Sequence, residues 1–206
     1  MRSTMLTGLA AAALIMTAVP SEAAWNGYFN KVVEFSFFAP GELKTERGTY
    51  SGTLAGRRSA TVFQSEEDNI QYKVIVVDFS DRPNDEAALL AEAATAFQTG
   101  RTVLADSSPG VDKFIGRKIS VDLPNAGGRS MGAFYFRNRH LIQLQVTVLP
   151  ASGDYGTPDM GRFIDSLALL PNRINPGAIE LTSTSPLFAM MAKVIITPTT
   201  VPNRPT

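Results

Sequence analysis

The 206-residue chain predicts an α/β (α+β) fold, an antiparallel β-sheet with helices packed on its faces. Three observations carry this. Apolar residues alternate with a period of two in runs separated by turn dipeptides, the mark of half-buried strands. Neighbouring runs joined by tight turns, as at Arg137-Asn138-Arg139-His140, pair antiparallel. Two stretches within the folded part carry helical periodicity.

The strands follow in order. Val33 to Phe37 is a short run closed by the turn dipeptide Pro40-Gly41. Glu46 to Leu54, Ser59 to Gln64 and Ile70 to Phe79 come next, the last apolar on both faces toward its end and therefore central. The link Ser65-Glu66-Glu67-Asp68-Asn69 holds three adjacent carboxylates. It lacks the glycine and ligand spacing of a calcium loop and reads as a solvated hairpin turn.

Asn84-Asp85-Glu86 supplies a side-chain cap and first-turn acids for an alanine-rich helix over Ala87 to Thr99, terminated by Gly100. Leu89, Ala93 and Phe97, with Leu90 and Ala94 beside them, form the stripe that packs on the sheet. A second, shorter helix spans Pro158 to Leu167, with Met160, Phe163, Ile164 and Leu167 on one face.

Between the helices lie Gly116 to Leu123, Ser130 to Phe136 and Leu141 to Leu149. If Asn138 and Arg139 are the central residues of a two-residue turn, Tyr135 faces Ile142, Ala133 faces Leu144 and Met131 faces Val146. The preceding hairpin is expected to set Val121 opposite Met131 and Ile119 opposite Ala133. All these apolar residues would then share one side. The other side would be polar except for an island, Phe134 and Phe136, that needs a covering element or a partner.

Residues at both ends speak of location. Met1-Arg2-Ser3-Thr4, the apolar run Met5 to Val19 and the small-residue exit Ser21-Glu22-Ala23-Ala24 read as a secretory signal peptide, residues 1–23, cleaved after Ala23. The alternative is a membrane anchor, but the run is shorter than the ~20 residues a spanning helix needs. The mature chain is thus expected to be exported, periplasmic or extracellular, with no transmembrane span. Residues 24–170 form the folded domain. Residues 171–206, broken by Pro171, Pro176, Pro186, Pro198, Pro202 and Pro205, read as an extended C-terminal arm. Within it, Ser185-Pro186 reads as a helix start for the apolar segment Leu187 to Ala192, followed by Val194-Ile195-Ile196. That segment either folds back over Phe134 and Phe136 or docks elsewhere.

Composition excludes much chemistry. The chain has no cysteine and one histidine, His140, which removes thiolate catalysis, thiolate metal sites and disulfides and leaves no imidazole cluster. Net charge is zero, so no overall field draws in nucleic acid. No cofactor and no metal are expected. Gly128-Arg129-Ser130-Met131-Gly132 matches the G-x-S-x-G nucleophile elbow, but that elbow ends a strand and opens a helix, whereas this pentapeptide leaves a turn and opens a strand. The reading that Gly127 and Gly128 make the turn, while Gly132 relieves crowding, competes with catalysis by Ser130.

Charge is unevenly spread. Eight acids stand against two bases from Ser59 to Gly100, and seven bases against three acids from Arg101 to His140. A basic edge around Arg117, Arg137 and Arg139 would suit an acidic partner or anionic headgroups.

Gly116-Arg117-Lys118-Ile119-Ser120-Val121, the glycine-rich turn, Phe134-Tyr135-Phe136, Asn138-Arg139, Leu141 to Val146 and Arg162-Phe163-Ile164-Asp165-Ser166-Leu167 together resemble exported bacterial proteins of the PsbP-like group. These are fold relatives of the photosystem II extrinsic protein PsbP and of DcrB. The resemblance spans residues 33–170 by element order. It implies an α/β/α sandwich and a non-catalytic, partner-binding or assembly role, and brings no catalytic residues and no photosynthetic function with it.

The expected function is an exported, non-catalytic module binding a macromolecular or envelope partner through Arg117, Arg137, Arg139, Phe134 and Phe136. The alternatives are a small serine hydrolase using Ser130, or a small-molecule carrier with a pocket lined by Phe134, Phe136 and the arm.

Overall fold

The computed structural model describes residues 24–82, 85–169 and 177–182. In chain order the strands are β1 (Trp25–Asn30), β2 (Phe35–Pro40), β3 (Lys44–Gly52), β4 (Gly56–Glu67) and β5 (Ile70–Asp78). Helix α1 (Glu86–Gln98) and the exposed strand β6 (Thr102–Ser107) follow, then a two-residue ribbon, β7 (Gly110–Val111) and β8 (Phe114–Ile115). Next come β9 (Arg117–Asp122), β10 (Arg129–Arg137), β11 (His140–Val148), helix α2 (Pro158–Asp165) and β12 (Ile179–Glu180).

Seven strands make one antiparallel sheet in the order β3-β4-β5-β11-β10-β9-β6. β5 is interior, as its two apolar faces require. One face carries α1, whose Leu89, Ala93, Ala94 and Phe97 pack on Val77, Ile119, Val121, Phe134, Phe136 and Leu141. The other face carries α2 and a small sheet in the order β12-β1-β2. There, Phe35 and Phe37 of β2 with Met160, Phe163 and Ile164 of α2 close over Phe63, Tyr72, Val74, Tyr135, Ile142 and Leu144. Helices therefore cover both faces, as the sequence predicts, and the second layer is shared with three strands, two of which the pattern did not mark.

The β10–β11 register is the expected one: Tyr135 faces Ile142, Ala133 faces Leu144 and Met131 faces Val146. Asn138 and Arg139 hold φ of 47° and 61°, the paired positive values of a type I′ turn. The β9–β10 register is shifted by one residue from expectation. Val121 faces Ser130 and Ile119 faces Gly132. Such a slip moves side chains to the opposite face, so Ile119 and Val121 join Phe134, Phe136 and Leu141 under α1 instead of sharing a layer with Met131 and Val146. The cause is the Pro124–Ala126 connection, which closes with Leu123 N–H donating to the Gly128 carbonyl at 2.8 Å and sets Asp122 opposite Arg129. The supposed polar side is thus a second core, and α1 is the element that covers the phenylalanine island.

The cap of α1 also differs. Asp85 occupies the N-cap position but makes no side-chain cap, its carboxylate lying 3.5 Å from Arg82 instead; Asn84 lies outside the described residues. From the middle of α1, Glu92 reaches the β3–β4 turn and accepts from Leu54 N–H at 2.6 Å and Ala55 N–H at 2.9 Å. Burial, and then the Glu92 charge, push the Tyr50 phenol beside this anchor up to about 12. On the opposite face of the sheet Thr157 caps α2 by accepting from Asp159 N–H at 3.4 Å, and Pro158 fills the first helical position. Residues 1–23, the expected signal peptide, lie outside the described residues, as do residues 183–206 of the C-terminal arm. Among the described residues no helix is long and apolar enough to cross a membrane.

Candidate functional site

The β3–β4 hairpin runs beyond the small sheet that covers this side, leaving a cleft of about 560 Å³. Its floor is built by strand periodicity. Arg47 pairs across to Thr61, and Thr61 to Val76. Residues directly opposite one another share a face, so the floor continues the core row that contains Phe63, Val76 and Ile142. Within the lining Asp78 faces His140.

The second wall is the segment after β1, Asn30 to Val33. Asn30 is buried because its Oδ1 accepts from both Val32 N–H at 3.1 Å and Val33 N–H at 2.8 Å, a local turn that fixes the wall. Asn138 Nδ2 donates to the Val33 carbonyl at 3.3 Å and ties this wall to the β10–β11 turn. The third wall is Glu180, Leu181 and Thr182. Apolar Val32, Val33, Phe63, Val76 and Leu181 thus line a space edged by the cations Lys31, Arg47 and Arg57 and by the carboxylates Glu46, Asp78 and Glu180. Val32 is 54% exposed, an uncovered apolar side chain at the mouth.

His140 Nδ1 donates to the Asn138 carbonyl at 2.7 Å, which leaves Nε2 turned to Asp78, 3.9 Å from its Oδ1. Ser130 is elsewhere. It faces Thr147 whereas His140 faces Arg137, so seven residues of strand, roughly 23 Å at 3.3 Å each, separate serine from imidazole. Ser130 is fully buried, its hydroxyl donating to the Val146 carbonyl at 3.0 Å and lying 2.9 Å from Thr147 Oγ1. Gly132 admits the neighbouring rings, since a Cβ there would stand 3.0 Å from Phe134 and 3.1 Å from Phe97. The G-x-S-x-G match is an interior strand with none of the exposure that an elbow nucleophile needs. Ser130→Ala is expected to cost about 1–2 kcal/mol, through the lost hydrogen bonds, and to leave binding unchanged; denaturant titration beside a binding assay checks both.

The residues singled out from sequence are dispersed. Phe134 and Phe136 are buried at 0% and 8% exposure, with Phe97 edge-on to Phe134 at 5.5 Å and Phe79 against Phe136 at 5.9 Å. They hold the core under α1 and line no cleft. Arg117 lies on the α1 face in an ion pair with Asp106, whereas Arg137 lies on the opposite face in an ion pair with Glu34 and over the Phe114 ring at 5.1 Å. Arg139 is exposed in the turn, reaching the Ser80 carbonyl at 3.5 Å. Lys118 pairs with Asp165 at 2.6 Å and Arg129 with Asp122 at 2.9 Å. Acids from distant segments thus dress the basic stretch. The cleft cations escaped notice because Lys31, Arg47 and Arg57 precede Ser59, where the charge contrast begins. The usable signal was the exposed odd-numbered face of β3, Thr45-x-Arg47-x-Thr49.

No family model matches the chain, and no curated protein matches it. Among solved structures, the solution structure of cyanobacterial PsbP (CyanoP) from Synechocystis sp. PCC 6803 aligns with a TM-score of 0.50 at 13% identity, over 76% of this chain and 98% of that one. A protein of unknown function from Pseudomonas aeruginosa, PA94, described as a putative regulator, aligns with a TM-score of 0.33 at 12% identity, over 81% of this chain and 100% of that one. The first of these alignments extends over most of this helix-covered antiparallel sheet, and the chain is PsbP-like at the level of its fold.

Proposed function

We propose that the chain is an exported, non-catalytic binding module that takes a segment of a macromolecular or envelope partner into the cleft between the β3–β4 hairpin and the Asn30–Val33 wall. The observation that carries this reading is the union, in one ordered cleft, of an apolar floor and cations. Among the described residues neither Lys31 nor Arg57 has an ion-pair partner. Such a surface suits an apolar segment bearing acidic side chains, the apolar part supplying affinity and the charges register and encounter rate. The signal-peptide pattern of Met1 to Ala23 supports export.

The test compares the full chain with the double variant Lys31→Glu/Arg57→Glu, each immobilised and exposed to envelope extract. Both positions are exposed, so the fold is expected to persist, which circular dichroism checks. The reading requires partner capture by the parent to fall at least tenfold in the variant. Equal capture by both would place the binding surface elsewhere. A small molecule retained on the gently purified parent in native mass spectrometry would replace the protein partner by a carried ligand.

A further inference from the structure

We propose that Glu92 is the positioning residue of the cleft. From α1, on the opposite face of the sheet, it fixes the tip of the β3–β4 hairpin and thereby the place of Arg57. β5 pairs with β4 only from Ala60 to Glu67. Gly56 to Ser59 and the residues opposite them, Thr49 to Gly52, therefore project beyond β5 as a two-stranded ribbon. Such a ribbon is marginally ordered when left alone in water. Arg57, one of the cations that edge the cleft, stands in it directly opposite Ser51.

The ribbon is held from outside its own ladder. The half-buried Glu92 carboxylate accepts from Leu54 N–H at 2.6 Å and from Ala55 N–H at 2.9 Å, two amides of the turn itself. Bonds from N–H to a carboxylate are stronger than those between neutral groups. Gly52 makes room for this approach, since a Cβ there would stand 2.5 Å from the Glu92 carboxyl carbon. A second tie runs through Arg58, whose guanidinium donates to the Ala55 carbonyl at 3.1 Å, to the Asp78 carbonyl at 3.2 Å and to Asp81 at 2.9 Å. Arg58 binds the β4 arm to the end of β5 and leaves the β3 arm to Glu92. A carboxylate on one face thus sets the width of a cleft on the other, and helix and cleft are mechanically coupled. That this coupling serves binding rests on the cleft being the surface proposed above.

The chain has no native cysteine, so nitroxide labels on a pair of introduced thiols report distance without background. Ser51→Cys lies on the β3 arm and Glu180→Cys on the wall formed by Glu180 to Thr182, both at exposed positions. In the control pair Thr45→Cys replaces the first. Thr45 is lower on β3, where its partner Phe63 is itself paired to Val74. In the full-length chain, Glu92→Ala is expected at least to double the width of the distance distribution between positions 51 and 180 and to leave that between 45 and 180 unchanged. Glu92→Gln, which keeps one carbonyl oxygen to accept an amide, is expected to broaden the first distribution by less. Parental width in both variants, or equal broadening of both pairs, would overturn the assignment. Partner capture by unlabelled Glu92→Ala is expected to fall at least threefold. Capture at the parental level beside a broadened distribution would end the positioning role, whereas the cleft reading itself fails only through the Lys31→Glu/Arg57→Glu comparison.

Discussion

Replacing Phe163 by alanine lowers the stability of the fold by about 3–5 kcal/mol, the usual cost of truncating a fully buried phenylalanine. Phe163 is 0% exposed. It projects from α2 into a cluster in which Tyr72 lies 5.3 Å away at 71° and Phe37 6.0 Å away at 88°, both edge-on. Its ring therefore joins three parts: α2, the main sheet through Tyr72 of β5, and the small sheet through Phe37 of β2. Truncation opens a cavity between layers that the neighbouring strands, held by their own ladders, cannot collapse to fill. Denaturant unfolding checks the magnitude. A loss under about 1 kcal/mol would mean that the second layer is not held where the structure puts it.

The next largest effect is expected from Gly128→Ala, a loss of at least about 3 kcal/mol, combining backbone strain with an overpacked contact. Gly128 sits at φ +106°, a conformation that side-chain-bearing residues rarely adopt, and a Cβ there would stand 2.1 Å from the Val148 carbonyl oxygen. That oxygen belongs to the last residue of β11, so the clash sits on backbone, where no rotamer change relieves it. The Gly128 carbonyl accepts from Leu123 N–H in the turn that sets the β9–β10 pairing. The substitution is thus expected to loosen that register as well. A variant of parental stability, with unchanged hydrogen-exchange protection at Ile119 and Val121, would show that the turn does not govern it.

Local pattern made the helices and the β10–β11 hairpin legible. Leu89, Ala93 and Phe97 recur at helical spacing and are buried on one stripe, and the Asn138-Arg139 turn sets its register without long-range help. β6 was invisible for the opposite reason: all six of its residues are exposed, so no hydrophobic alternation marks it. β12, two residues long, exists only because β1 offers it an edge. The candidate site was the least legible part. Its walls come from segments around residues 30, 47, 60, 78, 140 and 181, and no window of sequence holds them together.

By itself the sequence determined the fold class, the two helices and their buried faces, the central hairpin, and the lack of any thiol or imidazole cluster. These follow from interactions among residues a few positions apart, or from composition alone. Tertiary structure decided which face Ile119 and Val121 join, that α1 shelters Phe134 and Phe136, that Arg117 and Arg137 are neutralised from opposite sides, and that Lys31 and Arg57 line the same cleft. Each of these depends on which distant strands lie side by side, and a one-residue change in pairing inverts the face on which a side chain appears.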